Sequence, residues 1–230
     1  MKTKKIWLIL SLILLIVIIL FIVLTARKFI IIGDLEEKVN QQNARNNIYV
    51  KVDTSDISGE IFKKDDTIKA ILNYKDSDTK VIQVASGTTR TVYTESNAES
   101  DAEDSADSNT EKKAYVNENE TLNTNVISNA VATDGFWSKL NFSLLSHITT
   151  ELIEDTEYYV LENKHNSNFM LPVNCDNLKV YIEKETGLIW KEVLIFEDGT
   201  EETTTYEYSF DTVTDDDIQA PDITEYEVQE

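Results

Sequence analysis

One cysteine, six glycines and two histidines among 230 residues leave little material for several kinds of chemistry. A lone Cys175 excludes an intrachain disulfide framework and cysteine-rich zinc modules. None of the six glycines falls in the spacing of a phosphate-binding loop. Positive charge is also scarce. All 42 Asp and Glu lie after residue 28, where only 16 of the 21 Lys and Arg are found. So acidic a surface repels phosphate backbones and anionic lipid, which argues against nucleic acid as a partner.

What the chain has in excess is one apolar run. From Ile6 to Leu24 there are 19 uncharged residues, 17 of them Leu, Ile, Val or Phe. At 1.5 Å per residue such a helix is about 28 Å long, close to the roughly 30 Å of bilayer hydrocarbon. A cleaved signal peptide has a shorter apolar core and small residues at its cleavage site. Here Leu24-Thr25-Ala26 puts a bulky residue where a small one is wanted, so an uncleaved single-pass anchor over 1–28 is expected. Lys2, Lys4 and Lys5 precede the span and Arg27 and Lys28 follow it, a bias toward a cytoplasmic N-terminus. The acidic, cysteine-poor remainder is then extracytoplasmic, at the cell membrane.

Residues 29–46, with Leu35 and Val39 among Glu36, Glu37, Lys38, Asn40, Gln41 and Gln42, read as a short helical stalk. From Ile48 the period changes to two. Ile48, Val50 and Val52 alternate with polar residues, and hairpins are expected about Lys64-Asp65-Asp66, Ser86-Gly87, Glu185-Thr186-Gly187 and Asp198-Gly199. Residues 95–111 hold seven acids, no base and no aromatic, the composition of a disordered loop. Only 134–148 has helical spacing, with Asp134 as N-cap and Trp137, Leu140, Leu144, Leu145 and Ile148 on one apolar face. The expected fold class is α+β and mainly antiparallel β. A curved sheet over 47–230 carries one or two helices and follows a single transmembrane helix.

Residues 180–191, Val-Tyr-Ile-Glu-Lys-Glu-Thr-Gly-Leu-Ile-Trp-Lys, resemble a strand–turn–strand of the bacterial lipoprotein-localisation carrier (LolA-like) family and its relatives among periplasmic envelope-stress regulators. The aromatic strand 205–210 and the closing Val213, Asp215-Asp216-Asp217 and Pro221 are similar to that family as well. The resemblance covers about residues 46–226. It implies an open half-barrel with a hydrophobic concave cavity, which holds acyl chains in the carriers and serves as a contact surface in the regulators. A tethered chain departs from the soluble carriers, because an anchored protein cannot ferry lipid across a wide gap.

Nucleophilic chemistry needs a base beside the nucleophile. His147 and His165 sit in no such signature, and Cys175 has no basic neighbour to lower its thiol pKa. No catalytic, metal or cofactor residue is assigned, and no enzyme is expected. The candidate ligand-binding set is apolar. Trp137, Leu140 and Leu144 of the helix would face Leu188, Trp190, Leu194 and Phe196 of one strand face across a cavity that takes a lipid or acyl chain, and both tryptophans would border it. The alternative is an interaction domain filled by its own side chains. It would dock its acidic surface on a basic envelope protein, since residues 192–230 carry 14 acids and no Lys or Arg.

Overall fold

A computed structural model describes residues 2–97, 110–118, 125–128, 131, 135–164 and 174–229. The expected N-cap Asp134, His165 and the acidic stretch 98–109 lie outside them.

The apolar run and the residues after it form one unbroken helix, α1, Lys2–Asn43. Its most apolar window has a mean hydropathy of 3.4, and none of that window is buried in the protein. A helix that is hydrophobic all round and packs on nothing is suited to lipid rather than water, a candidate membrane span. Beyond the span, Ile32, Leu35 and Val39 recur at steps of three and four, and they are only 0–2% exposed. Residues 29–43 are therefore not a free stalk. They enter the sheet and become its core helix, with Glu37 and Gln41 turned outward. The apolar period looks thin because one narrow stripe is all that a helix cradled on one side needs. Each of those three burials is worth about 1.5–3 kcal/mol. At the far end, Lys63 Nζ donates to the Asn43 carbonyl at 2.9 Å and the Asn43 amide exchanges two hydrogen bonds with the Ile127 backbone. These contacts satisfy polar groups at the helix C-terminus.

Among the described residues twelve strands follow: β1 (Asn47–Asp53), β2 (Ile57–Lys64), β3 (Thr67–Tyr74), β4 (Lys80–Ser86), β5 (Thr89–Asn97) and β6 (Thr110–Asn117), then helix α2 (Gly135–Leu145), then β7 (His147–Ile153), β8 (Thr156–Lys164), β9 (Cys175–Glu183), β10 (Ile189–Phe196), β11 (Glu201–Phe210) and β12 (Glu227–Gln229). They make one open sheet in the order β12-β6-β5-β4-β3-β2-β1-β11-β10-β9-β8-β7. Two antiparallel meanders meet where β1 pairs with β11, Val50 opposite Tyr208. The expected antiparallel half-barrel is the architecture found, with α1 along its concave face.

Three local expectations change. The helix near 134–148 ends at Leu145, so Ile148 belongs to β7. The ends of the acidic stretch are strand, with Glu95 opposite Lys112 and Ser96 opposite Glu111. Glu95 pairs across the strands with Lys80, and Glu111 pairs with Lys113 of its own strand. Finally, β12 adds in parallel to β6, with Val228 opposite Ala114, and covers one sheet edge.

The core is split between the two faces of the sheet. On the concave side Ile32 and Leu35 pack with Phe142, Leu161, Val180, Ile182 and Ile189, and Val39 packs with Ile48, Val50 and Leu188. On the opposite face of β4–β6, Ile82, Tyr93 and Ala114 are covered by Tyr226, whose ring stands edge-on to Tyr93 at 5.0 Å.

Candidate functional site between the two helices

α2 packs against α1 where α1 leaves its apolar run. Phe136 meets the ring of Phe29 at 5.5 Å, Lys139 pairs with Glu36, and Lys28 Nζ donates to the Ser146 carbonyl at 2.7 Å. Phe142 and Ser143 are buried on the side that meets the domain. Ser143 and Ser146 return their hydroxyls to the Lys139 and Phe142 carbonyls, so neither brings an unsatisfied polar group inside.

Between the helices runs an open groove of about 510 Å³. Phe21, Ile22, Thr25, Ala26, Phe29 and Ile30 of α1 form one wall and Phe136, Leu140 and Leu144 of α2 the other. Apart from the Thr25 hydroxyl every lining side chain is apolar, and none titrates. The groove suits a hydrocarbon chain and offers no group that moves a proton or holds a metal.

Of the seven residues expected to line one cavity, only Leu140 and Leu144 line this groove. Trp137 lies beside it, 75% exposed. Leu188 is buried against α1 in the concave core with Val39. Trp190 is on the other face of the sheet, in ring contact with Tyr158 at 5.0 Å and Tyr181 at 6.1 Å. Tyr181 sits between Val180 and Ile182, both in the core under α1, so its ring and that of Trp190 point away from it. The two tryptophans therefore border no common cavity. The cause is a register shift between Ile189 and Lys191, which breaks the alternation that would put Trp190 with Leu188. Leu194 remains opposite Leu178, whereas Phe196 follows a second irregularity, opposite Cys175. Phe21, Ile22, Phe29 and Ile30 were missed because they read as part of the span and the stalk.

The other side chains weighed for chemistry sit apart from the groove. Cys175 is buried, with its thiol donating to the Asn177 carbonyl. His147 is exposed at the start of β7. Among the described residues no group of three His, Cys, Asp or Glu could hold a metal. On the concave face Tyr206 donates to Glu192 at 2.8 Å. Burial first, then the Glu192 charge and this bond, push the tyrosine hydroxyl far above its ordinary value. Several acids of the C-terminal third meet the chain's own cations: Glu207 with Lys51, Asp211 with Arg45, Asp215 with Lys64 and Glu225 with Lys112.

No protein-family model and no curated protein sequence matches the chain. Solved structures do match. An uncharacterized conserved protein from Thermus thermophilus aligns with a TM-score of 0.50 at 8% identity, over 86% of this chain and 98% of that one. At that identity the likeness is one of fold. The matches also include the complex of Pseudomonas aeruginosa MucA and MucB, with a TM-score of 0.41 and 13% identity over 83% of this chain and 61% of that one. A LolA superfamily protein from Nitrosomonas europaea matches with a TM-score of 0.24 and 11% identity, over 82% of this chain and 97% of that one.

Proposed function

We propose that this chain is a membrane-anchored, extracytoplasmic binding domain without a catalytic role, and that it holds one apolar chain, such as an acyl chain, in the groove between α1 and α2. The observation that carries this reading is the groove itself, about 510 Å³ and walled by apolar side chains of both helices. That volume lies within the usual range of small-molecule sites. The concave sheet, where the resemblance would put an acyl chain, supports it less. Ile32, Leu35 and Val39 of α1 already occupy that face over β1 and β8–β11.

Energetics favour a chain that would otherwise sit in water. Each methylene withdrawn from water is worth about 0.8 kcal/mol, so eight of them offer on the order of 6 kcal/mol before ordering costs. A chain already in the bilayer gains nothing from dehydration and would be chosen by packing alone.

The test uses the full-length protein in nanodiscs with a photoactivatable fatty acid. Cross-links should concentrate on peptides holding Phe29 and Leu140. Leu140→Gln with Leu144→Gln should cut labelling about fivefold at unchanged thermal stability, because two amides must then be desolvated beside the chain. Labelling that is spread evenly, or unaltered in the double variant, would sink this reading and leave docking through the acidic surface in its place.

A further inference from the structure

With α1 across a bilayer, its continuity would set the height of α2 relative to the headgroups. Leu24 ends the apolar run, and Phe29 lies five residues on, about 7–8 Å along the axis at 1.5 Å per residue. The headgroup layer on each side of the hydrocarbon is roughly 5–7 Å thick. The contact of Phe29 with Phe136 thus falls at headgroup level. Phe21 and Ile22, which face Leu140 and Leu144 across the groove, lie within the apolar run.

α2 has two distinct arcs. Lys139, Phe142 and Ser143 face the domain and α1. Phe136, Leu140, Leu144 and Trp137 fall within roughly 100° of a different arc, at about 100° per residue. Most of that second arc is left open by the protein, with Leu140 half-buried in the groove. Phe136 is 60% exposed, Trp137 75% and Leu144 40%. Its surface is continuous, through the groove, with the bare lipid-facing side of α1, where Leu20, Phe21 and Ile22 are all more than half exposed. The bases at this level, Arg27 and Lys28, suit a headgroup layer, and farther from the apolar run Lys139 neutralises Glu36.

We propose that α2 is an interfacial helix, lying on the bilayer surface with Phe136, Trp137, Leu140 and Leu144 at the boundary between headgroups and acyl chains. Tryptophan is the residue best suited to that boundary, and an amphipathic helix with one apolar arc is the element that binds there. The domain is then held to the membrane at two points, which removes its freedom to swing about α1. The groove opens into the lipid. The inference rests on α1 crossing the bilayer and does not depend on the groove holding a ligand.

The test compares the full-length protein with its Trp137→Phe variant, in liposomes of ordinary and of acyl-brominated phosphatidylcholine. Trp137 is exposed, so the exchange leaves the fold intact, and the difference between the two proteins isolates its emission from that of Trp7 and Trp190. The Trp137 signal should be blue-shifted, fall about twofold or more in brominated lipid, and resist aqueous iodide. A Trp137 signal untouched by bromine and quenched by iodide, while the residual Trp7 signal is quenched by bromine, overturns the inference. If bromine quenches neither residue, α1 is not in the bilayer and the inference falls with its premise. Photolabelling of the groove is read separately, so failure of the acyl site does not mimic either result.

Discussion

Gly187 lies so close to Lys38 that a Cβ built on it would stand 2.8 Å from the Lys38 Cβ and 3.3 Å from the Leu35 carbonyl. The turn that gives the sequence its family resemblance is thus the surface against which α1 is laid. Its backbone is left-handed, with φ of +76°, and the Lys184 carbonyl accepts a bond from Lys38 Nζ at 2.8 Å. Two independent constraints, the dihedral and the close approach, therefore demand glycine.

Gly187→Ala should cost about 2–4 kcal/mol, from the left-handed backbone and the displaced helix together. For a domain of this size that corresponds to a melting temperature lower by roughly 5–15 °C. Circular dichroism of the full-length protein in detergent measures it. A shift under about 2 °C would mean that the helix does not rest on the turn.

Leu35→Ala separates a core helix from a stalk. A fully buried leucine in a packed interior costs about 2–5 kcal/mol when truncated. Trp137→Ala, on the outward arc of α2, should change stability in detergent by no more than about 0.5 kcal/mol. Urea titration of both variants checks the contrast. Equal, small losses would place 29–43 outside the folded unit.

Alkaline pH should weaken the fold through tyrosines whose hydroxyls bond carboxylates, Tyr206 with Glu192 and Tyr49 with Glu60. Burial, then Glu192, raises the Tyr206 hydroxyl, and burial, then Glu60, pushes Tyr49 up to about 12. The folded chain keeps those protons where the unfolded chain, titrating near 10, releases them. Their contribution is complete below about pH 10 and is lost as pH rises toward 12 and beyond. Tyr206→Phe should lose on the order of 1 kcal/mol at neutral pH with its hydrogen bond. It should also fall less steeply than the parent between about pH 10 and 12. Parallel stability curves for the two proteins would show that the hydroxyl carries no such linkage.

The sequence by itself determined the long apolar helix, most strands and the antiparallel class. Each of these rests on a local period or a turn chemistry: the apolar run from Ile6 to Leu24, the alternation of Ile48, Val50 and Val52, and the glycines at 87, 187 and 199. Only the tertiary structure decided which surface each apolar stripe meets. Trp137, Leu140 and Leu144 repeat as a core face would, yet Trp137 and Leu144 are exposed and Leu140 lines the groove, because an apolar arc has the same period whatever surface it meets. The thin stripe of Ile32, Leu35 and Val39 fills the sheet, because depth of burial comes from a cradle that strands far along the chain supply. Trp190 left the face that alternation assigned to it through a bulge that no local pattern announces. The three residues of β12 find β6 across more than a hundred positions, a pairing that local propensity does not encode. The candidate groove was legible only in half, through Leu140 and Leu144, since its other wall is built from residues whose composition marks them for the membrane.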